Sequence, residues 1–281
     1  MAASPSAVDA QRCGPTTCQL TPSLVPLTAD IVTYLDRLLG IPATPDSPAA
    51  MNGLQVANRG QVSKIAAAVD ASQRTIDGAV ASGSNLLLVH HGLFWKGVLP
   101  IAGSQYTRMR TLFDHDIAVY SAHIPLDLHP TFGNNVLLAK ELGLVPSGEF
   151  ARFGPIAIGV RGIADVPTAE LVERAARFAR EHGGDAHGTE FPSSRRTRSW
   201  AMCSGAGAST ETLDEAVALG VDTLIVGEGP HWTAVEAPER GLVIIYAGHY
   251  ATETLGVRTL AQDLSARFGV PWAFIAAPTG R

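Results

Sequence analysis

Short apolar runs recur along the chain and alternate with segments of helical periodicity. Strand-like runs in the first half include KIAAAVDAS, NLLLVHH and IAVYSAH. Between such runs, TADIVTYLDRLLG at 28–40 is typical of an amphipathic helix, with Thr28 as predicted N-cap, one apolar face, and Gly40 as predicted end. Because strands connected through helices lie in sheets covered on both faces, the alternation predicts an α/β fold with largely buried strands.

The alternation runs in two consecutive series. The second begins with GPIAIGVRGIA at 154–164 and ends with PWAFIAAP near the end of the chain. The proline-containing stretch 144–155 is the best candidate boundary between them. We therefore predict a first α/β lobe over residues 26–150 and a second over 151–281, with the final segment able to pack back on the first lobe. Residues 1–25 lack periodicity and are predicted to be a disordered leader.

Composition and charge narrow the classes of function. Hydrophobic residues make up 46% of the chain and charged residues 17%, which is typical of a globular protein. The formal charge of −5 is not the excess of positive charge that nucleic-acid-binding proteins carry, so we do not expect nucleic acid as a partner. No apolar stretch approaches the roughly 20 residues of a membrane helix. The 3 cysteines include no convincing disulfide or metal pair, which favours a reduced, cytoplasmic compartment.

Polar residues that can bind metal follow several of the predicted strands. The carboxyl ends of strands in α/β proteins open into the crevice where ligands bind, so side chains placed there can meet. The residues at these positions are His90, His91, His123, Asp127, Glu228, His249 and Glu253.

The spacing of these residues indicates a metal centre. His249 and Glu253 lie four residues apart, which places both on one helical face as half of a site for a divalent ion. The side chains of His90 and His91 diverge if the backbone is extended, which suits two ions, or one ion and a substrate contact. Asp127 could supply a bridging carboxylate. Three histidines and two carboxylates suffice for a two-metal site with open positions for water.

Other motifs carry less information. GEGPH at 227–231 either places Glu228 and His231 in the same crevice or forms an ordinary turn before a helix. GAGAS at 205–209 could cradle an anion at a helix start, but a tight turn explains it more simply. The sequence has no phosphate-binding GxxxxGK[ST] loop and no GxSxG elbow, and Cys203 has no evident base. Nucleophilic catalysis is therefore not favoured.

Five segments in a fixed order resemble one known family. These segments are MNGLQV (51–56), LLLVHHGLFWKG (86–97), YSAHIPLDLHPTFGNN (120–135), GEGPHWTAVEAPERG (227–241) and GHYATETLGV (248–257). Together they resemble the Nif-three-like dinuclear metal-centre family, also called GTP cyclohydrolase I type 2 homologues, over roughly residues 27–280. The loop after His123 departs from the usual family pattern but keeps Asp127.

The resemblance implies an architecture and a ligand set. It implies two similar α/β lobes with mixed sheets flanking a dinuclear metal cleft, and assembly into a toroidal homohexamer. The family's metal ligands match His90, His91, Asp127, His249 and Glu253, while His123 and His231 match further polar positions that line its cleft.

Two hypotheses for function follow. The first is a metal-dependent hydrolase of a small phosphorylated or nucleotide-like substrate, with two divalent ions per chain (Zn, Mn or Fe) and no organic cofactor. In this hypothesis His123 or His231 moves the proton. The alternative is a ring protein without turnover that stores metal, delivers metal or binds a partner.

Overall fold

The structure is a computed structural model that describes residues 25–97 and 99–280. The predicted leader falls outside these residues as far as residue 24, together with Cys13 and Cys18. The strands are β1 (Gly53–Val56), β2 (Ile65–Asp70), β3 (Leu86–His91), β4 (Ala118–Ser121), β5 (Gly148–Phe153), β6 (Ile156–Pro167), β7 (His187–Gly188), β8 (Arg196–Cys203), β9 (Thr223–Val226), β10 (Val243–Tyr246) and β11 (Trp272–Phe274).

Ten helices of the described residues connect and cover these strands. They are α1 (Thr28–Leu39), α2 (Gln73–Ser82), α3 (Gly103–Asp114), α4 (Ile124–Asp127), α5 (Asn134–Glu141), α6 (Thr168–Glu181), α7 (Thr210–Ala218), α8 (His231–Glu239), α9 (His249–Thr252) and α10 (Thr254–Phe268). Among the described residues, none of the helices combines the length and the apolar character needed to cross a lipid bilayer.

The first sheet has the strand order β1-β4-β3-β2-β11. β2, β3, β4 and β11 run parallel, and β1 closes one edge antiparallel to β4. Alternate residues of β3 face opposite cores: Leu86 and Leu88 join the cluster formed with α1 and α10, whereas Leu87 and Val89 join the one formed with α2 and α3. Burial on both faces explains why this strand is a continuous apolar run.

The second sheet has the order β5-β6-β8-β9-β10-β7. β8, β9 and β10 run parallel, while β5, β6 and β7 pair antiparallel. In β8, Trp200 packs with the side that carries α5 and α6, and Ala201 packs with the side that carries α7 and α8. The predicted α/β class with two mixed sheets is confirmed.

The structure adds detail at the predicted boundary and differs from one local prediction. The stretch 144–155 contains strand β5, which hairpins onto β6 through Gly154 at φ +57° and buries Phe150 completely. The last Gly and Pro residues of this stretch lie at the turn of the hairpin. Thr28 is the first helical residue of α1 and not its N-cap, and its hydroxyl donates to Asn58 Oδ1 at 2.6 Å; the N-cap position is taken by Leu27, whose side chain cannot accept a hydrogen bond. The predicted end at Gly40 is confirmed by its left-handed conformation.

Candidate metal centre

The carboxyl ends of the parallel strands bring the predicted site residues together. His90 and His91 end β3, and His123 follows β4 directly before α4, which ends at Asp127. From the second sheet, β10 leads through Gly248 at φ +87° into α9, which begins at His249. The two halves of the chain therefore face each other across one cleft.

Glu253 occupies the centre of this cluster. Its side chain is 4% exposed and lies between α9 and α10. Its Oε1 lies 3.6 Å from His90 Nε2, and its Oε2 lies 3.5 Å from His91 Nε2 and 3.1 Å from His249 Nε2. Each oxygen of one carboxylate thus faces a different set of imidazoles.

Asp127 completes the set on the His90 side. Its Oδ2 lies 3.5 Å from His90 Nε2, and its Oδ1 accepts a 2.8 Å hydrogen bond from the amide of Asn134. One oxygen is therefore held in place and the other is directed at the cluster.

Within residues 25–97 and 99–280, two groups of ligand atoms are close enough to hold a metal ion. His90, His91 and His123 form one, and His91, His249 and Glu253 form the other, with the atoms of each group within 4.8 Å of one another. The rings of His90 and His91 lie 4.8 Å apart between centroids. They approach different oxygens of the same carboxylate and do not point to opposite sides, in contrast to the divergence expected for an extended backbone.

The Nδ1 atom of each of the four clustered imidazoles, those of His90, His91, His123 and His249, has a hydrogen-bond partner. His90 Nδ1 donates to the carbonyl oxygen of Ala122 at 2.9 Å. The carboxylates partner the other three, at distances of 2.8–3.0 Å, in the pairs Asp70–His91, Asp46–His123 and Glu228–His249. Such partners fix the orientation of a ligating imidazole and raise its basicity, so that each Nε2 remains for the centre of the cluster.

Burial and charge compete in this cluster. Burial lowers the pKa of His90, but the carboxylates of Asp127 and Glu253 outweigh it and raise the pKa to about 10. Burial likewise lowers the pKa of His249, and Glu253 and Glu228 raise it to about 9. Burial raises the pKa of Glu253, yet the neighbouring imidazoles hold it well below its usual range. The buried carboxylates therefore require positive charge, from protons or from metal.

Asn134 and Asn135 connect the ligands to the rest of the fold. Asn134 donates to Asp127 and accepts from the backbone N–H of Gly256 in α10, at 2.8 Å in each case. Asn135 accepts from the N–H of Ser204 and donates to the carbonyl of Ile158, both at 2.7 Å. Through these hydrogen bonds, the two buried amides connect α5 to residues on both sides of the cleft.

The GAGAS segment forms one wall of the centre. Gly205 has φ +63°, and a Cβ placed on it would lie 2.2 Å from Glu253 Oε1. Only glycine fits there, so the segment is a tight turn that lets the backbone approach the carboxylate. The segment leads into α7, where the capping box of Ser209 and Thr212 satisfies the helix start.

The cleft has a volume of about 580 Å³ and is open to solvent. Apolar residues and Cys203 line it beside the candidate ligands. Burial raises the pKa of the Cys203 thiol far above its usual range, which keeps the thiol protonated and argues against a thiolate nucleophile.

Of the seven residues predicted as metal ligands or for proton transfer, six meet in the cluster and His231 does not. His231 is exposed and begins α8, where it lines a neighbouring cavity of about 540 Å³ together with Glu228 and Tyr246. The sequence patterns did not predict Asp46 and Asp70 as hydrogen-bond partners of the clustered histidines. Asp70 ends buried strand β2 and satisfies the same rule that identified His90, whereas Asp46 lies in a loop that carries no comparable signal.

Comparisons with known proteins identify a family. The family model described as Duf34/NIF3 (NGG1p interacting factor 3) matches residues 27–279. A Deinococcus radiodurans protein named GTP cyclohydrolase 1 type 2 homolog is 40% identical over 257 residues, which cover 89% of this chain and 93% of that protein. A protein of the same name from Escherichia coli is 39% identical over 232 residues, covering 82% and 90%.

Solved structures share the fold. The structure titled protein ybgI, unknown function, is 34% identical with a TM-score of 0.80, covering 91% of this chain and 100% of that one. TTHA1606 from Thermus thermophilus is 35% identical with a TM-score of 0.72, covering 90% and 99%. Reduced HcgD from Methanocaldococcus jannaschii, at 23% identity with a TM-score of 0.75 and coverage of 89% and 98%, shows similarity of fold alone.

Proposed function

We propose that this chain, which belongs to the Duf34/NIF3 family, is a dinuclear metal-dependent hydrolase of a small phosphorylated or nucleotide-like substrate. Membership rests on a family model that spans nearly all described residues and on relatives about 40% identical. The family resemblance carried by the sequence motifs is thereby confirmed.

The position of Glu253 is the observation that carries the proposal. His90 Nε2 and Glu253 Oε2 are buried and have no hydrogen-bond partner of normal geometry among the described residues, although ion-pair distances link them to the cluster. Unsatisfied buried polar atoms are costly. Imidazole nitrogens and carboxylate oxygens aimed at one another are the donor set of a transition-metal site, so the residues present fit a metal.

Residues of this chain would bind two metal ions at adjacent sites. His90 and Asp127 would hold one ion and His91 and His249 the other, and Glu253 would contribute to both sites. This mixed nitrogen and oxygen set suits Zn, Mn or Fe. Two divalent ions supply polarisation of a substrate oxygen and a lowered pKa of water.

His123 is the residue we assign to proton transfer. It lines the cleft, and its ring centroid lies 4.9 Å from that of His90. Asp46 accepts from His123 Nδ1 at 2.9 Å, which leaves Nε2 free to take or give a proton at the substrate. His231, the other residue predicted from sequence for this role, lies in the neighbouring cavity, so the role falls to His123.

The test is a turnover screen with metal-loaded protein. Untagged protein loaded with Mn²⁺, Zn²⁺ or Fe²⁺ is incubated with a panel of phosphoesters and nucleotides, and released products are quantified. We expect at least one substrate to be hydrolysed, with turnover abolished by Asp127→Ala while the protein stays assembled. If no substrate is turned over with any of the three metals, the hydrolase proposal fails, and metal storage, metal delivery or partner binding without turnover takes its place.

We also propose that the chain assembles into a toroidal homohexamer, in keeping with the family resemblance of its sequence motifs. Light scattering coupled to size-exclusion chromatography of the full chain is expected to give six times the mass of one chain. The mass of a monomer or dimer at micromolar concentration would contradict this.

A further inference from the structure

Two further cavities border the candidate metal centre besides the cleft. A smaller one of about 370 Å³, which we call the passage, shares Asp70, His91 and His249 with the cleft. The cavity of about 540 Å³ that contains His231, which we call the side cavity, shares Glu228 with the passage. The three cavities therefore follow one another from the side cavity through the passage to the candidate ligands.

The passage is lined by two carboxylates. Asp70 and Glu228 have side chains that are 37% and 38% exposed. One oxygen of each contacts a candidate ligand, at 2.8 Å from His91 Nδ1 and at 3.0 Å from His249 Nδ1. Because a carboxylate has two oxygens and several lone pairs, a half-exposed carboxylate can hold its imidazole and still contact a cation in the passage.

The side cavity contains the same kinds of side chain. Asp185, His187 and His231 line it together with Glu228, and within the part of the chain that the structure describes no lysine or arginine belongs to its lining. Arg180 approaches Asp185 at 3.7 Å from outside the lining, and both side chains are largely exposed. Among the described residues, no three of these lining groups lie close enough together to form a closed metal site. The side cavity therefore suits brief contacts with a cation and not storage.

Beyond the candidate ligands, the cleft has a different character. Its large side chains there are Trp95, Ile124, Phe153 and Ile158, which offer a hydrated ion no group that can replace its water. Carboxylate oxygens and imidazole nitrogens can replace that water, and negative charge raises the rate at which a cation reaches a site. The side cavity and the passage are thus the better approach for a divalent ion.

We propose that divalent ions enter and leave the metal centre through the side cavity and the passage, and not through the part of the cleft that a substrate would occupy. This inference rests on the metal centre of the proposed function but not on turnover. His231 would contact the incoming ion first, and Glu228 and Asp70 would contact it next. Its destination is the buried Glu253, whose Oε2 has no hydrogen-bond partner of normal geometry among the described residues. Metal could then exchange while the cleft is occupied.

The test measures the rates of metal uptake and release. Stopped-flow mixing of the metal-free full chain with Zn²⁺, followed by tryptophan fluorescence, gives the association rate constant, and transfer of Zn²⁺ from the loaded chain to EDTA gives the dissociation rate constant. Asp185→Asn/His231→Gln removes one charge and one imidazole from the side cavity. We expect both rate constants to fall about tenfold, because groups on the route stabilise the ion between its free and bound states. The dissociation constant should change less than about twofold, since neither residue belongs to the metal centre.

Two lysine variants distinguish the two approaches. His231→Lys adds a positive charge in the side cavity, and Phe153→Lys adds the same charge in the cleft. We expect His231→Lys to slow association about tenfold and Phe153→Lys to slow it less than about twofold. Asp30→Asn is the control for charge, because Asp30 is exposed in the first turn of α1 and lines none of the three cavities. It should leave both rate constants unchanged.

Two results would overturn the route. One is a pair of unchanged rate constants in Asp185→Asn/His231→Gln, and the other is a larger slowing by Phe153→Lys than by His231→Lys. Tight Zn²⁺ binding at equilibrium in either case would leave the metal centre intact, and the turnover screen would still decide the hydrolase proposal. A full chain that binds no Zn²⁺ at equilibrium would reject the metal centre and the route together.

Discussion

The two ends of the cleft differ in how their side chains are held. At the metal-binding end, three imidazoles are each fixed by a carboxylate, and Asp127 is fixed by Asn134. At the apolar wall, the end of the cleft lined by Trp95, Ile124, Phe153 and Ile158, the ring of Phe153 is exposed. Preorganisation at one end suits a ligand of constant geometry such as a metal ion, whereas the other end leaves surface for a substrate to cover.

Removing the shared carboxylate should have the largest effect. Glu253→Gln removes the charge and replaces one of the two oxygens by an N–H donor facing an imidazole. We expect loss of both ions, with affinity reduced more than about 100-fold, because both groups of imidazoles face this side chain. Elemental analysis of dialysed protein measures the metal content. Retention of two ions would show that Glu253 does not bridge.

Asp127→Asn should remove one of the two ions and leave the other bound. In the division of ligands proposed above, Asp127 serves only the ion on the His90 side, so the ion held by His91, His249 and Glu253 keeps its ligands. We expect the metal content to fall to about one ion per chain. Calorimetric titration with Zn²⁺ would then show a single class of site. A variant that binds as many ions as the unmodified chain would place Asp127 outside the ligand set.

Replacing the carboxylates that hydrogen-bond to the imidazole Nδ1 atoms should have intermediate effects, which differ between Asp70 and Asp46. Asp70→Asn weakens the support of His91 and should reduce metal affinity about 10- to 100-fold. Asp46→Asn is the matched comparison, because it makes the same change beside His123, which we assign to proton transfer. It should leave metal affinity unchanged and lower kcat of a confirmed substrate. Equal loss of metal in both variants would make His123 a ligand.

The smallest effect concerns stability at the apolar wall. Phe150 and Phe153 lie on the same strand, but Phe150 is 0% and Phe153 38% exposed. Phe150→Ala should lower the free energy of unfolding by about 3–5 kcal/mol. Phe153→Leu should change it by less than about 0.5 kcal/mol, since Phe153 is outside the core. Chemical denaturation measures both. A large destabilisation by Phe153→Leu would assign this ring to the core and not to ligand binding.

Much of the fold and of the metal-binding end could be predicted from the sequence, for a physical reason. Parallel strands buried on both faces are continuous apolar runs, so a histidine or carboxylate at their ends is conspicuous, as at His90 and His91. The outer partners were harder to predict. Asp46 reaches His123 across 77 positions of sequence, from a loop without periodicity. The apolar wall depends on how the β5–β6 hairpin meets the first half of the chain, which no local pattern encodes.

In the proposed metal centre, the buried carboxylate of Glu253 serves two metal ions. Anomalous diffraction from crystals of the full chain soaked with Mn²⁺ or Zn²⁺ tests it most directly. We expect two anomalous peaks in the cleft, one on the His90–Asp127 side of Glu253 and one on the His91–His249 side. A single peak, or peaks that lie away from Glu253, would contradict it.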